Sequence, residues 1–287
     1  MDDWRRYVRT VVERYKGRIA HYEVWNEINL KGFYSGSLET LLELARIAHQ
    51  EIRRGDPAAR IVSPSVTGLG RNPQWLDRYL SLGGGQYADV IGYHFYSPKH
   101  SPEAMLPVIR DVQASMRRHS VADKPLWNTE AGWWIQGLTP APRIGAAEAD
   151  WRQLDQATAQ SYVARALLLG WAFGVSRYCW YAWDNLDMGL YDSVARTQKP
   201  AARAYARTAS WLTDHVVTAC TAQDDVWTCE LFGPNGKRHR IVWREGDNEA
   251  RWPVPPKWNA TAFETLAGNT GPLGAAFALG PSPVLLR

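Results

Sequence analysis

From Trp4 to about Leu212, helix-period and strand-period segments alternate, and that order leaves few architectures open. An opening helix carries Trp4, Tyr7, Val8, Val11, Val12 and Tyr15 on one face, and a strand follows at residues 21–25. A helix over 38–54 turns Leu41, Leu42, Ala45 and Ala48 inward. A strand at 61–64 then precedes a helix that Asn72-Pro73 starts and that runs through Leu80. A strand over 89–96 is followed by a helix that Ser101-Pro102 starts and that runs to about His119. The last two units pair a strand at 124–129 with a helix over 155–173, and a strand at 177–183 with a helix over 200–212. Strand, returning helix, strand is the pattern of parallel βα units.

Five such units are present, whereas a closed α/β barrel of eight parallel strands requires three more. Five parallel strands cannot close, so they leave two unpaired edges and one uncovered sheet face. The reading is a (β/α)8 TIM barrel that is N-terminally incomplete over residues 1–213, with its first three βα units upstream or on another chain. An open doubly wound sheet is the rival architecture. After Leu212 the pattern changes to short alternating strands at 216–219, 226–232, 240–243, 261–266 and 283–286. They read as a small C-terminal β-sandwich domain over 214–287, with Pro253-Val254-Pro255-Pro256 and Gly271-Pro272 as loops.

A net charge of +4 is spread along the chain without basic stripes, which argues against nucleic acid as a partner. The densest basic run, Lys237 to Arg240, follows Pro234-Asn235-Gly236 and reads as a solvated turn. No apolar run approaches the roughly 20 residues of a membrane span, so no membrane partner is expected. The first residues carry no export signal. Among three cysteines, Cys179 lies in an apolar strand, while Cys220 and Cys229 flank a segment able to reverse the chain. That pair reads equally well as a disulfide or as two buried thiols. No CxxC or paired-His spacing suggests a metal, and no cofactor is expected.

In a parallel barrel the strand ends open onto one face, where catalytic groups gather. Two strands run directly into glutamate: Tyr22-Glu23-Val24-Trp25-Asn26-Glu27 and Pro125-Leu126-Trp127-Asn128-Thr129-Glu130. A lone glutamate there is usually a helix cap or a surface ion-pair partner. Two at matching positions suit glycoside hydrolysis, in which one carboxyl protonates the leaving oxygen and the other attacks or stabilises an oxocarbenium-like centre.

With Trp25-Asn26-Glu27 ending one strand and Thr129-Glu130 ending the third strand after it, the sequence resembles the clan A glycoside hydrolases. The arrangement of Glu27 to Gly36 is most similar to family 39 β-glycosidases and related exopolysaccharide-cleaving enzymes. In that register strands four to eight are present. The resemblance implies a retaining hydrolase acting on oligo- or polysaccharide, with Glu27 as acid/base and Glu130 as nucleophile. It further implies that Asn26 bonds the substrate 2-hydroxyl, that His94 and Tyr96 form the His-x-Tyr of strand six with the Tyr hydroxyl orienting Glu130, and that Trp183, ending strand eight, stacks a sugar ring. Trp133, Trp134, Trp180 and Asp184 read as packing or loop residues.

Two other readings compete. A non-catalytic carbohydrate-binding barrel, or an inactive fragment of a glycosidase, would keep both glutamates without a complete pocket. A metal-dependent barrel hydrolase needs clustered His and Asp ligands, which His94 alone does not supply. The full-length protein is expected in the periplasm or outside the cell.

Overall fold

A computed structural model describes residues 1–68, 74–139, 151–234 and 236–287. The chain divides into two units. The first comprises Met1–Tyr96, Met105–Ala131 and Val175–Cys179, and the second Ser97–Ala104, Gly132–Gly174 and Trp180–Arg287.

The first unit is built on parallel strands. β1 (His21–Glu23) pairs with β2 (Arg60–Val62), and β3 (Ile91–Tyr93) pairs with β4 (Leu126–Ala131), both in parallel register. Parallel bridges Val62 to Val90 and Thr67 to His94 place β2 beside β3. A further strand, Val175–Trp180, lies beside β4. Ser176 Oγ donates to the Leu126 carbonyl (3.3 Å) and Asn128 Nδ2 to the Cys179 carbonyl (3.1 Å), so the contacts ascend together and the two strands run the same way. β1, β2 and β3 are shorter than the sequence pattern suggests, whereas β4 keeps the expected length and lies two residues later.

Helices α1 (Asp2–Tyr15) and α2 (Leu38–Gly55) pack together in this unit. Asp2 and Asp3 sit in the first turn of α1, where negative charge complements the helix dipole. The Ser37 hydroxyl caps α2 by accepting from Thr40 N, a contact worth about 1 kcal/mol. Trp4 Nε1 donates to the Leu44 carbonyl (2.9 Å), and buried Glu51 accepts from Arg5 (2.9 Å) and Arg9 (3.0 Å). Of the apolar face expected on α1, Val8 and Val12 are buried while Tyr7 is 60% exposed. Helices α3 (Gln74–Ser81) and α4 (Met105–Arg118) complete the unit. Asn72 and Pro73, expected to start α3, lie outside the described residues.

In the second unit, β5 (Trp134–Ile135) pairs with β6 (Gln153–Leu154), and Asp155 caps α5 (Gln156–Ala172) by accepting from Thr158 N. The strand Val175–Trp180, termed β7, ends here with Trp180, three residues short of Trp183. β8 (Tyr191–Asp192) and β9 (Thr197–Gln198) form an antiparallel pair before α6 (Pro200–Leu212), which starts on proline and packs on α5.

The remaining strands are β10 (Val216–Gln223), β11 (Val226–Phe232), β12 (Arg238–Arg244), β13 (Ala250–Pro253), β14 (Ala262–Thr265), β15 (Thr270–Pro272), β16 (Ala276–Leu279) and β17 (Val284–Leu286). They form a six-stranded antiparallel sheet, β10-β11-β12-β17-β14-β15, and a separate antiparallel pair, β13 with β16. Val242, Leu279, Val284 and Leu286 form a core against Trp252, Phe263 and Phe277. Cys220 and Cys229 face each other across β10 and β11 and are bonded.

Two sequence expectations are corrected in this region. Gly271-Pro272 is not a loop: both residues belong to β15, an edge strand where a proline without an N–H is tolerated. The basic run is a solvated turn only in part: Lys237 and Arg238 are exposed, but Arg238 onward belongs to β12. Arg240 is buried, pairs with Glu230 (3.2 Å) and lies 4.6 Å over the Trp258 ring.

Candidate active site

Past β1 the chain leaves the ladder and turns at Glu27. Its φ of 42° is left-handed backbone, which costs a residue with a Cβ on the order of 1 kcal/mol or more and persists only where neighbours hold it. Glu27 N donates to Ser65 Oγ (3.2 Å), Ile28 N to the Ser65 carbonyl (3.1 Å), and Leu30 N to the Glu27 carbonyl (2.9 Å). The turn buries the Glu27 side chain and brings Oε1 to 3.0 Å from His94 Nδ1.

Period-two alternation along 92–96 puts His94 and Tyr96 on one face and buries Tyr93 and Phe95 on the other. His94 is fixed through its backbone, its N–H donating to the Val66 carbonyl (2.9 Å) and its carbonyl accepting from Gly68 N (3.0 Å). Tyr96, also buried, donates its hydroxyl to Glu130 Oε1 at 2.7 Å. Glu130 is half-buried near the end of β4. One nitrogen or oxygen from each of Glu27, His94 and Glu130 lies within 4.8 Å of the others.

The structure therefore brings together Glu27, His94, Tyr96 and Glu130, with half-buried Asn26 beside Glu27. Trp183 belongs to the second unit. It is 53% exposed, lies in the loop after β7 and stacks on Tyr191 with ring centroids 5.8 Å apart. With Trp180, Leu190, Gln198 and Tyr205 it lines an apolar pocket of about 310 Å³.

Several supporting residues escaped the sequence reading. Buried Asn128 accepts from Phe95 N (3.0 Å) through Oδ1 and donates to the Cys179 carbonyl (3.1 Å), tying β4 to its neighbours on both sides. Glu23 Oε1 accepts from Thr129 Oγ1 (2.9 Å). The available signal was the alternation along β1, which sets His21 and Glu23 against Tyr22 and Val24. Desolvation pushes the Glu23 carboxyl above the usual carboxylate range, opposed by His94, Thr129 and Ser65 and assisted by Glu130. The side chain keeps solvent access, so this push is partial.

Two carboxylates and an imidazole can in principle surround a divalent ion, a set that an expectation of His and Asp ligands overlooked. Here the donors are engaged with protons: His94 Nδ1 with Glu27, and Glu130 Oε1 with the Tyr96 hydroxyl. Glu27 is thus hydrogen-bonded to His94, and Glu130 to Tyr96.

The sequence profile of the glycosyl hydrolase catalytic core matches residues 22–199, a stretch that holds both glutamates. The chain belongs to that family. This glycosyl hydrolase core resembles a family 39 glycoside hydrolase from Bacteroides cellulosilyticus WH2, with TM-score 0.77 and 18% identity over 100% of the chain and 62% of the other. It also resembles a family 51 arabinofuranosidase from Xanthomonas axonopodis pv. citri (TM-score 0.65, 13% identity, 99% and 73% covered). A third likeness is to a family 128 endo-β-1,3-glucanase from Amycolatopsis mediterranei in complex with laminaritriose (TM-score 0.50, 26% identity, 71% and 79% covered). The chain spans 62% of the family 39 structure and 59% of a glucosidase from Croceicoccus marinus (TM-score 0.59, 14% identity, 95% of this chain covered), about three fifths of each. None of the curated proteins matches the sequence.

Proposed function

We propose that the chain is the strand-four-to-eight part of a clan A retaining glycoside hydrolase, of the kind of family 39, that cleaves oligo- or polysaccharide with Glu27 as acid/base and Glu130 as nucleophile. The observation that carries the reading is the approach of the two carboxylates, with oxygens within 4.8 Å of each other. Retaining glycosidases hold their carboxyls about 5–5.5 Å apart, whereas inverting ones leave about 6.5–9.5 Å for a water.

In the first step Glu130, with Oε1 held by Tyr96, attacks the anomeric carbon through its other oxygen while Glu27 protonates the departing oxygen. In the second, Glu27 takes a proton from water, which displaces Glu130 from the same carbon. The left-handed turn and the His94 contact fix the Glu27 carboxyl in line with that transfer. Asn26 is assigned to the sugar 2-hydroxyl, and Trp183 to stacking on a sugar face.

The assignment of an incomplete barrel is supported by what its inner face exposes. Glu23, Arg177 and Cys179 are exposed and His21 is half-buried, although alternation points them to the side that a closed barrel fills with side chains. The Arg177 guanidinium lies 3.9 Å over the Trp127 ring, and His21 packs on the same ring at 4.8 Å. Trp4, Tyr7, Val11, Tyr22 and Val24 line an apolar groove of about 410 Å³ along α1 and β1. Three further βα units, upstream or on another chain, would cover these surfaces. Residues 1–213 are assigned to the barrel and 214–287 to a C-terminal β-sandwich domain. The Cys220–Cys229 bond favours a periplasmic or secreted setting for the whole protein.

The second reading, a carbohydrate-binding or inactive fragment, draws on that same open face. Assay of the chain on aryl β-glycosides, with the anomer of the first product followed by NMR, decides between them. Retained configuration supports the proposal. Inversion overturns the mechanism, and sugar binding without turnover by the chain and by a barrel-completed version favours the second reading.

A further inference from the structure

Below the catalytic pair lies a third carboxylate with no role so far. Glu23 Oε1 is anchored by the Thr129 hydroxyl at 2.9 Å, one residue before Glu130. On its other side is Gly92, which shares the face of β3 that carries His94. A Cβ at Gly92 would come within 3.0 Å of Glu23 Oε1 and 2.9 Å of Val62 Cγ1, so the glycine makes room for the carboxylate. Glu23 thus occupies the space between the residue preceding the nucleophile and the strand that delivers the imidazole.

We propose that Glu23 is a positioning residue for glycoside cleavage, its carboxylate anchoring the end of β4 through Thr129 and coupling electrostatically to His94 and Glu130. The proposal rests on the assignment of Glu27 and Glu130 made above. The groups facing Glu23 are Ser63 and Ser65 after β2, Gly92 and His94 on β3, Thr129 and Glu130 on β4, Arg177 and Cys179 on β7, and His21 on its own strand. Among them His94, His21 and Arg177 can be cationic, and Glu130 is the anion that opposes Glu23. Burial and Glu130 favour the protonated carboxyl, while His94 and the Thr129 and Ser65 hydroxyls favour the ionised one.

The test is a pH titration of the Glu23 carboxyl by 13C NMR in the 287-residue chain, which requires no activity. The midpoint should lie above the ordinary glutamate range. It should fall in Glu130→Gln, which removes a repelling charge, and rise in both His94→Asn and Thr129→Val, which remove support for the ionised form. Three separate variants guard against one failing to fold. The kinetic arm compares Glu23→Leu, which removes the acceptor for the Thr129 hydroxyl, with Glu23→Gln, which keeps one: kcat should fall severalfold with KM held in the first and recover in the second, whereas a merely structural loss lowers both alike. An unmoved midpoint in all folded variants, or an equal loss of kcat in the two Glu23 variants, overturns the proposal. A chain that hydrolyses no glycoside yet shows the three midpoint changes overturns the functional assignment and leaves the coupling of Glu23 standing.

Discussion

The Tyr96 hydroxyl donates to Glu130 Oε1 at 2.7 Å, which fixes one oxygen of the carboxylate proposed as nucleophile. A hydrogen bond to a charged group is worth about 1.5–3 kcal/mol, which corresponds to roughly 10- to 100-fold in rate if it is fully used in positioning. Tyr96→Phe is therefore expected to lower kcat by about that factor with little change in Tm. Steady-state kinetics beside thermal unfolding checks this, and an unchanged kcat contradicts the positioning role.

Glu27 is expected to be dispensable for the chemistry of a good leaving group but not for its own second task. Glu27→Ala should lose most activity, and azide should restore part of it on an activated aryl glycoside by replacing water as nucleophile in the second step. Formation of the glycosyl azide with retained configuration is the measurement. Absence of any azide effect counts against Glu27 as the acid/base.

Removal of divalent cations with a chelator should leave the rate unchanged. His94 Nδ1 is engaged with Glu27, Glu130 accepts from Tyr96, and the proposed acid and nucleophile require no Lewis acid. A loss of activity restored by one particular cation would instead make the Glu27, His94 and Glu130 group a metal centre.

In the second unit, Arg165 is 2% exposed and donates through Nε to Glu103 Oε1 (2.8 Å), which also accepts from Trp243 Nε1 (3.1 Å). Burial opposes ionisation of Glu103, but the hydrogen bond and charge of Arg165 outweigh it and hold the carboxyl below the usual range. A depressed folded value means stability that is complete above the unfolded glutamate value, about 4.3, and is lost as pH falls through the folded one. Arg165→Ala strands a buried carboxylate and should cost about 3–5 kcal/mol in denaturant unfolding near neutral pH, less in acid.

Much of this architecture could be read in the sequence because it is carried by period. The 2.0 and 3.6 residue repeats placed the five βα units, and both glutamates sit where apolar runs stop. What stayed hidden depends on partners distant in sequence. β13, β15 and β16 carry too few alternating residues to stand out, and prolines in two of them argued for loops. Arg240 looked solvated because its cover comes from elsewhere in the sequence, Glu230 on β11 and Trp258 in the helical turn after β13. The cysteine pair was undecided until β10 and β11 were seen in register, with Cys220 opposite Cys229. Glu23 was invisible as a site residue because its meaning depends on Gly92 and Thr129 facing it across the sheet.

The Cys220–Cys229 bond joins residues nine apart, and closing so short a loop is worth about 2–3 kcal/mol. Reduction should lower the unfolding midpoint of the C-terminal strands, as read by thermal unfolding with and without reductant.

The most direct measurement is covalent trapping. A 2-deoxy-2-fluoro glycoside with an activated leaving group slows the second step, and mass spectrometry of the digested protein locates the sugar. The expected result is a single glycosyl ester on Glu130, absent in Glu130→Gln. Turnover of the parent glycoside without an adduct on Glu130, or with an adduct on another residue, would contradict the assignment.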